Sequence, residues 1–276
     1  MLVTFRRFLG LNKVLPKRIG TGLIYAFSLF ASLFFVPNLF IFIAFILALA
    51  AVLELHHMSE KTPILIILCL SLYFGSCFFF RNNENFALSL ILVFFSFFTF
   101  LLLILFSRNQ QTLKFTLPLV TSISLFYISI GMSFLIFIAQ NQKYEGSIML
   151  SFVFLIQWSN DSFSYLIGKW IGKKIVFPAI SPKKTLEGYI GGLICTLLFA
   201  LFIGYVVEID YFQVMTLAFL ICISGNTGDL IESKIKRLLD KKDSSQLLPG
   251  HGGFFDRIDS IILSVPISYL FLYLIY

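Results

Sequence analysis

Long apolar runs alternate along this chain with short polar breaks. Runs long enough to cross a bilayer as helices fall at about 19–36, 38–55, 63–80, 87–107, 117–139, 147–168, 189–207, 211–227 and 259–276. The pattern predicts an all-α, polytopic integral membrane protein with about nine transmembrane helices. A tight turn at Val36-Pro37-Asn38 separates the first two spans, and the sixth and eighth end in polar residues. Ahead of them, Arg6, Arg7, Lys13, Lys17 and Arg18 lie among Leu, Val and Phe. That reads as a short basic interfacial segment, retained because no small-residue cleavage site follows the next apolar run.

Charge gives the spans a direction. With the N-terminus in the cytoplasm, nineteen of the twenty-one Lys and Arg residues fall on cytoplasmic loops, and only Arg81 and Lys143 fall outside. The positive-inside rule therefore puts the C-terminus outward and both charged loops of the last third in the cytoplasm. The expected location is the cell (inner) membrane, multi-pass, with any site in those loops facing the cytoplasm.

Composition agrees. A chain of 276 residues with 58% hydrophobic content and 35 Phe lacks the polar surface of a soluble globule. Mean hydropathy is +0.92. The net charge of +7 is sorted by membrane side, so no nucleic-acid partner is expected. Cys69, Cys77, Cys195 and Cys222 all lie within apolar runs and read as small core residues without disulfide or metal spacing.

The two halves differ. Residues 1–150 form hydrophobic N-terminal spans, about five, with short polar loops, whereas 151–276 form a C-terminal region with long charged cytoplasmic loops. Glu54 is the one acid of the first half set among apolar residues; it reads as an interfacial acid beside His56 and His57. That histidine pair lacks further ligands at metal spacing.

Two constellations carry chemistry. Asn160, Asp161 and Ser164 put polar groups at membrane depth near the cytoplasmic end of the sixth span, where an unpaired acid is costly. Behind them, Ser181-Pro-Lys183-Lys184-Thr185-Leu-Glu-Gly188 reads either as positive-inside anchoring or as an anion-binding loop. The second constellation runs from Gly228 to Asp259 and holds six of the fourteen acids and six of the twenty-one bases. Asp229, Glu232, Ser233 and Lys236 share one face if 230–239 is helical, and Asp256 and Asp259 repeat the spacing. Two carboxylate-bearing faces suit Mg2+, which takes hard oxygen ligands and is usually completed by substrate phosphates. The candidate ligands are Asp229, Asp256 and Asp161. The turn Gly250-His251-Gly252-Gly253 would let backbone N–H groups approach a phosphate, with Lys236, Arg237, Lys242 and Arg257 neutralising charge.

The run from Ser233 through Leu248-Pro-Gly-His-Gly-Gly-Phe-Phe-Asp-Arg-Ile-Asp259 resembles the signature of the phosphatidate cytidylyltransferases, or CDP-diacylglycerol synthases, without departure at its fixed positions. With Asn160-Asp161 and Ser181–Gly188, the resemblance covers roughly the last 120 residues. It implies a multi-span helical homodimer that transfers CMP from CTP to phosphatidate, releasing pyrophosphate. It also implies Mg2+, with a second cation such as K+ as an option. Asp229, Asp256, Lys236, Arg257 and His251 would be catalytic, His251 orienting substrate rather than acting as base. Asn160, Asp161, Ser181, Lys183, Lys184, Thr185, Ser233, Arg237, Lys242, Gly252, Gly253 and Asp259 would bind substrate. A phosphate monoester has a second pKa near 6, so phosphatidate needs no strong general base. The remaining difficulty is in-line approach of two anions. Two other readings stand beside this one: a related CTP-using enzyme acting on an isoprenoid-ether lipid, and a transporter with Asp161, Asp229 and Asp256 as ion ligands.

Overall fold

The computed structural model describes residues 14–59, 71, 74–75, 79, 83–105, 117–141, 145–245 and 252–275. Eight helices are described: α1 (Val14–Phe35), α2 (Pro37–Ser59), α3 (Glu84–Leu105), α4 (Leu117–Ala139), α5 (Gly146–Ile171), α6 (Leu186–Val207), α7 (Tyr211–Leu238) and α8 (Phe255–Ile275). Each overlaps an expected span. The expected span at 63–80 and the basic segment ahead of Val14 lie outside the described residues, apart from Ser71, Phe74, Gly75 and Phe79.

Six helices, α2, α3, α4, α6, α7 and α8, are long and apolar enough to cross a membrane, and the chain is a multi-pass membrane protein. α5 is 26 residues long, but from its middle onward it carries Gln157, Asn160, Asp161 and Lys169. The two spans expected to end in polar residues do so because their helices run on past the apolar stretch. α7 continues to Leu238 over 28 residues, about 42 Å at 1.5 Å per residue, and this exceeds a hydrocarbon core of about 30 Å. Its last turns, with Glu232, Ser233 and Lys236, therefore project toward the interface.

Local chemistry fixes the boundaries. Pro37 opens α2, where its missing N–H leaves no hydrogen bond unmade. Asp210 accepts from the Gln213 N–H (3.0 Å) to start α7, and Thr185 accepts from the Gly188 N–H (3.2 Å) to start α6. One difference from an all-α chain lies between α5 and α6. There β1 (Ile175–Phe177) pairs antiparallel with β2 (Ser181–Thr185), Ile175 opposite Thr185 and Phe177 opposite Ser181. Pro178 and Pro182 oppose helix continuation, while Ile175, Val176 and Phe177 favour a strand.

α4 is the central helix, with 83% of its apolar window buried. It packs against α2, α3, α5 and α8. Aromatic contacts fill its flanks: Tyr127 stacks on Phe94 at 5.4 Å, and Phe134 meets Tyr269 at 5.2 Å. By contrast Ile190, Ile194, Leu198 and Phe202 project outward from α6, as a lipid-facing helix requires.

α5 and α6 close on each other through small residues. Ser164, Gly168 and Gly172 repeat every fourth position; Ser164 and Gly168 meet Gly188 and Gly192, and Gly172 meets Thr185. A Cβ on Gly188 would stand 2.8 Å from the Ser164 carbonyl oxygen, so the backbones touch where lipid offers no hydrophobic drive to association. With α5 to α8 running alternately up and down, the ends at Ile171, Leu186, Leu238 and Phe255 gather at one end of the bundle.

Candidate active site

Three helices, α5, α6 and α7, and the second strand of the hairpin line a cavity of about 580 Å³, within the range of small-molecule sites. Asp161, Ser164, Tyr165 and Lys169 of α5 line one wall; Ser181, Lys183, Lys184 and Thr185 of β2, Tyr189 of α6, and Asn226 and Asp229 of α7 line the others. The fit of β2 against α6 explains the Lys-Lys-Thr-Leu-Glu-Gly order. Thr185 caps the helix, and Glu187 accepts from the backbone N–H groups of Lys173 (2.9 Å) and Lys174 (3.2 Å), which fixes the hairpin base. Lys183 and Lys184 are thereby held at the cavity wall.

Lys184 Nζ pairs with Asp229 and lies 5.9 Å above the Tyr189 ring. Burial alone would lower the Lys184 pKa, but attraction to Asp229, helped by Tyr189 and the hydrogen bond to Asp229, outweighs it and raises the value above the ordinary lysine range. The cavity therefore keeps a fixed cation at neutral pH. Deeper in, Asn160 Nδ2 donates to Asn226 Oδ1 (3.0 Å) and Gln157 Nε2 donates to Asp161 Oδ1 (3.0 Å).

The acids of α7 and α8 meet beside the cavity. A Cβ on Gly228 would lie 2.6 Å from the Asp259 carbonyl oxygen, and this close approach sets Asp229 next to Asp259. Among the described residues, Asp229, Glu232 and Asp259 form the one group of three acids that each offer a carboxylate oxygen within 4.8 Å of the others'. Asp256 is differently engaged. Its Oδ1 takes Lys236 Nζ at 2.7 Å, and its Oδ2 takes the N–H groups of Gly253 (2.9 Å) and Ser244 (3.2 Å). Lys236 also pairs with Glu232 at 2.6 Å, so it joins Asp256 to the acid group.

The expected set thus divides. Asp161, Ser181, Lys183, Lys184, Thr185 and Asp229 line the cavity, and Asn160 stands behind it. Lys236, Asp256 and Asp259 adjoin it through the acid group, and Ser233 Oγ donates to Asp229 Oδ1 at 3.4 Å. Arg237 spends its donors on backbone, Nε to the Ile180 carbonyl (3.4 Å) and Nη1 to that of Lys241 (2.9 Å). Lys242 and Arg257 are exposed at the same end. His251 lies outside the described residues.

The described part of the glycine turn, from Gly252 onward, turns backbone N–H groups toward protein carboxylates. Gly252 has φ +84°, which a side chain would strain, and a Cβ there would stand 2.6 Å from Asp256 Oδ2. The Gly253 N–H donates to Asp256, and those of Phe254 and Phe255 donate to Glu54 (2.9 Å each).

Glu54 was read as an interfacial acid and is 4% exposed. It is buried because it reaches across from α2 to this turn, 200 residues away in sequence at Phe254. A single acid in a hydrocarbon run was its only signal. Asn226, Tyr189 and Ser244 were also missed, being unremarkable in type and placed by helix packing alone.

These features define a site that presents cations and clustered carboxylates at one end of a membrane-spanning helical bundle. The chain belongs to the cytidylyltransferase family, whose family model matches residues 16–275. It is 39% identical over 161 residues to the phosphatidate cytidylyltransferase of Bacillus subtilis (strain 168), covering 57% of this chain and 60% of that protein. It is likewise 39% identical over 146 residues to the enzyme of that name from Staphylococcus aureus (strain COL), 52% of this chain and 55% of the relative. The match to Staphylococcus haemolyticus (strain JCSC1435) is 37% over 140 residues, 53% of that protein. The chain thus spans little more than half the length of these relatives.

Proposed function

We propose that the protein transfers CMP from CTP to phosphatidate, giving CDP-diacylglycerol and pyrophosphate for phospholipid synthesis. The observation that carries this reading is the cavity in which Lys183 and Lys184 face Asp161 and Asp229 at the membrane end of the bundle. A phosphatidate oxygen attacks the α-phosphorus of CTP, a new P–O–P bond forms, and the α–β anhydride bond breaks with its electron pair leaving on pyrophosphate. Both reactants are anions, so the work of the site is charge neutralisation and alignment. Lys183 and Lys184 supply fixed positive charge on the wall, and Tyr165 and Trp170, exposed on α5, give the acyl chains an apolar approach.

Asp229, Glu232 and Asp259 fit Mg2+, since three hard oxygen donors within 4.8 Å of one another match its preference and leave places for phosphate oxygens. The bound ion would offset phosphate charge, and a second cation such as K+ would find further carboxylate oxygen in Asp161. Lys184 and Lys236 balance these acids meanwhile. The site is proposed to face the cytoplasm from the cell membrane of a homodimer. The test is purified protein in phosphatidate-containing liposomes with labelled CTP, with and without Mg2+. Lipid-linked CMP and pyrophosphate in equal amounts are expected; CTP left intact at every Mg2+ concentration would refute the proposal.

A further inference from the structure

We propose that Glu54 is a positioning residue, a carboxylate sent from the N-terminal half to hold the first turn of α8 and, through it, the acid group; the inference rests on the reading of that group as the site of CMP transfer. Both carboxylate oxygens are fully used. Oε1 accepts from Ser245 Oγ (2.6 Å) and the Phe254 N–H (2.9 Å), and Oε2 accepts from Ser244 Oγ (2.8 Å) and the Phe255 N–H (2.9 Å). A buried carboxylate is costly without such donors, and the positive end of a helix adds to its fit. The fit is close: a Cβ on Gly253 would stand 2.7 Å from Glu54 Oε1.

The contact leads inward. Ser244 Oγ also lies 3.1 Å from Asp256 Oδ2, so one hydroxyl with a single proton bridges two carboxylates. Asp256 holds Lys236 at 2.7 Å, and Lys236 holds Glu232 of the acid group at 2.6 Å. The chain Glu54, Ser244, Asp256, Lys236, Glu232 thus links α2, the loop after α7, α8 and α7. Neither the cavity wall nor the acid group includes Glu54 itself. Its effect is on where Asp256 and Asp259 stand.

The charge and both acceptors should matter more than the length of the side chain. Glu54→Gln keeps the size but turns one acceptor into a donor facing N–H and O–H donors. Glu54→Asp keeps both acceptors and shortens the reach. Expected for Glu54→Gln are a fall in kcat of about a hundredfold, as misplacement near 1 Å can cause, CTP affinity within about threefold of wild type, and faster amide hydrogen exchange in 252–258 but not in 211–225. Glu54→Asp should recover a substantial part of both. Ser245→Ala, which removes one donor, should fall between and serves if Glu54→Gln does not fold. Wild-type kcat in Glu54→Gln, or Glu54→Asp no better than Glu54→Gln, would overturn the positioning role, and so would unchanged exchange in 252–258. A wild-type protein inactive on CTP and phosphatidate would refute the transfer reading instead, while the exchange comparison would still judge the placement of Glu54.

Discussion

Lys236 Nζ lies 2.7 Å from Asp256 Oδ1, which ties the last turn of α7 to the first turn of α8 beside the layer where Asp229 meets Asp259. Both side chains are 11% exposed, and Glu232 completes the group at 2.6 Å. Removing one partner of a buried pair strands the other charges and costs about 3–5 kcal/mol. Lys236→Met should therefore lower Tm by roughly 10 °C in detergent, read by intrinsic fluorescence. A Tm within about 2 °C of wild type would mean that the pair contributes little to holding α7 against α8.

The acids separate by what already surrounds them. Asp229→Asn, Glu232→Gln and Asp259→Asn each remove charge from the group whose oxygens lie within 4.8 Å of one another. Each should raise the Mg2+ concentration for half-maximal CDP-lipid formation at least about tenfold, a loss of roughly 1.4 kcal/mol of binding. Asp256→Asn should instead lower thermal stability, because its oxygens serve Lys236, Ser244 and Gly253. Asp240, exposed with φ +55°, should tolerate Asn with less than about a threefold change in rate. Mg2+ titrations on the five variants decide the assignment.

How much of this was legible in the sequence depends on whether a residue acts through its neighbours in the chain or across the bundle. Asp229, Glu232, Ser233 and Lys236 fall on one face because helical spacing is local, and α7 does place them together. Thr185, Glu187 and Gly188, legible only as part of an anchoring or anion-binding loop, start a capped helix and fix the hairpin base. The hairpin before them was not read, since three- and five-residue strands leave little periodic signal. Glu54 and Asn226 could not be assigned. Their partners, Phe254 and Asn160, lie 200 and 66 positions away, and only the packing of α2 and α5 against the last two helices brings them close. The division of labour between Asp256 and Asp259 was also hidden, because both stand at equally suitable helical positions and only their neighbours in space, Lys236, Ser244 and Gly253 for Asp256 against Asp229 and Glu232 for Asp259, distinguish them.

Lys184 gives a pH prediction whose sign is fixed. Burial opposes its charge, Asp229 favours it more strongly, and its pKa stands above the ordinary lysine value near 10.5. A raised folded pKa contributes stability that is fully present below the unfolded value and is lost as pH rises through the folded one. The Tm difference between wild type and Lys184→Met should accordingly be flat from about pH 6 to pH 9 and shrink only above about pH 10.5. A difference that already declines between about pH 7 and pH 9 would show that the pair with Asp229 does not hold the proton.

The direction of the bundle can be tested on three described positions. Lys173 follows α5 and Lys241 follows α7, at the end where the cavity lies, whereas Asp210 begins α7 at the opposite end. α7 spans about 42 Å between Asp210 and Lys241, so these ends cannot share an interface. In the proposed orientation, with nineteen Lys and Arg residues on cytoplasmic loops and two outside, the cavity end faces the cytoplasm. Single cysteines in place of Lys173, Lys241 and Asp210, in a background with the four native cysteines replaced by serine or alanine, should react with an impermeant maleimide in opposite patterns. In intact cells only the cysteine at position 210 should label; in inverted membrane vesicles only those at 173 and 241 should. Labelling of 210 and 241 from the same side would contradict α7 as a complete span. Labelling of 173 and 241 in intact cells would reverse the orientation and put the cavity on the face away from cytoplasmic CTP.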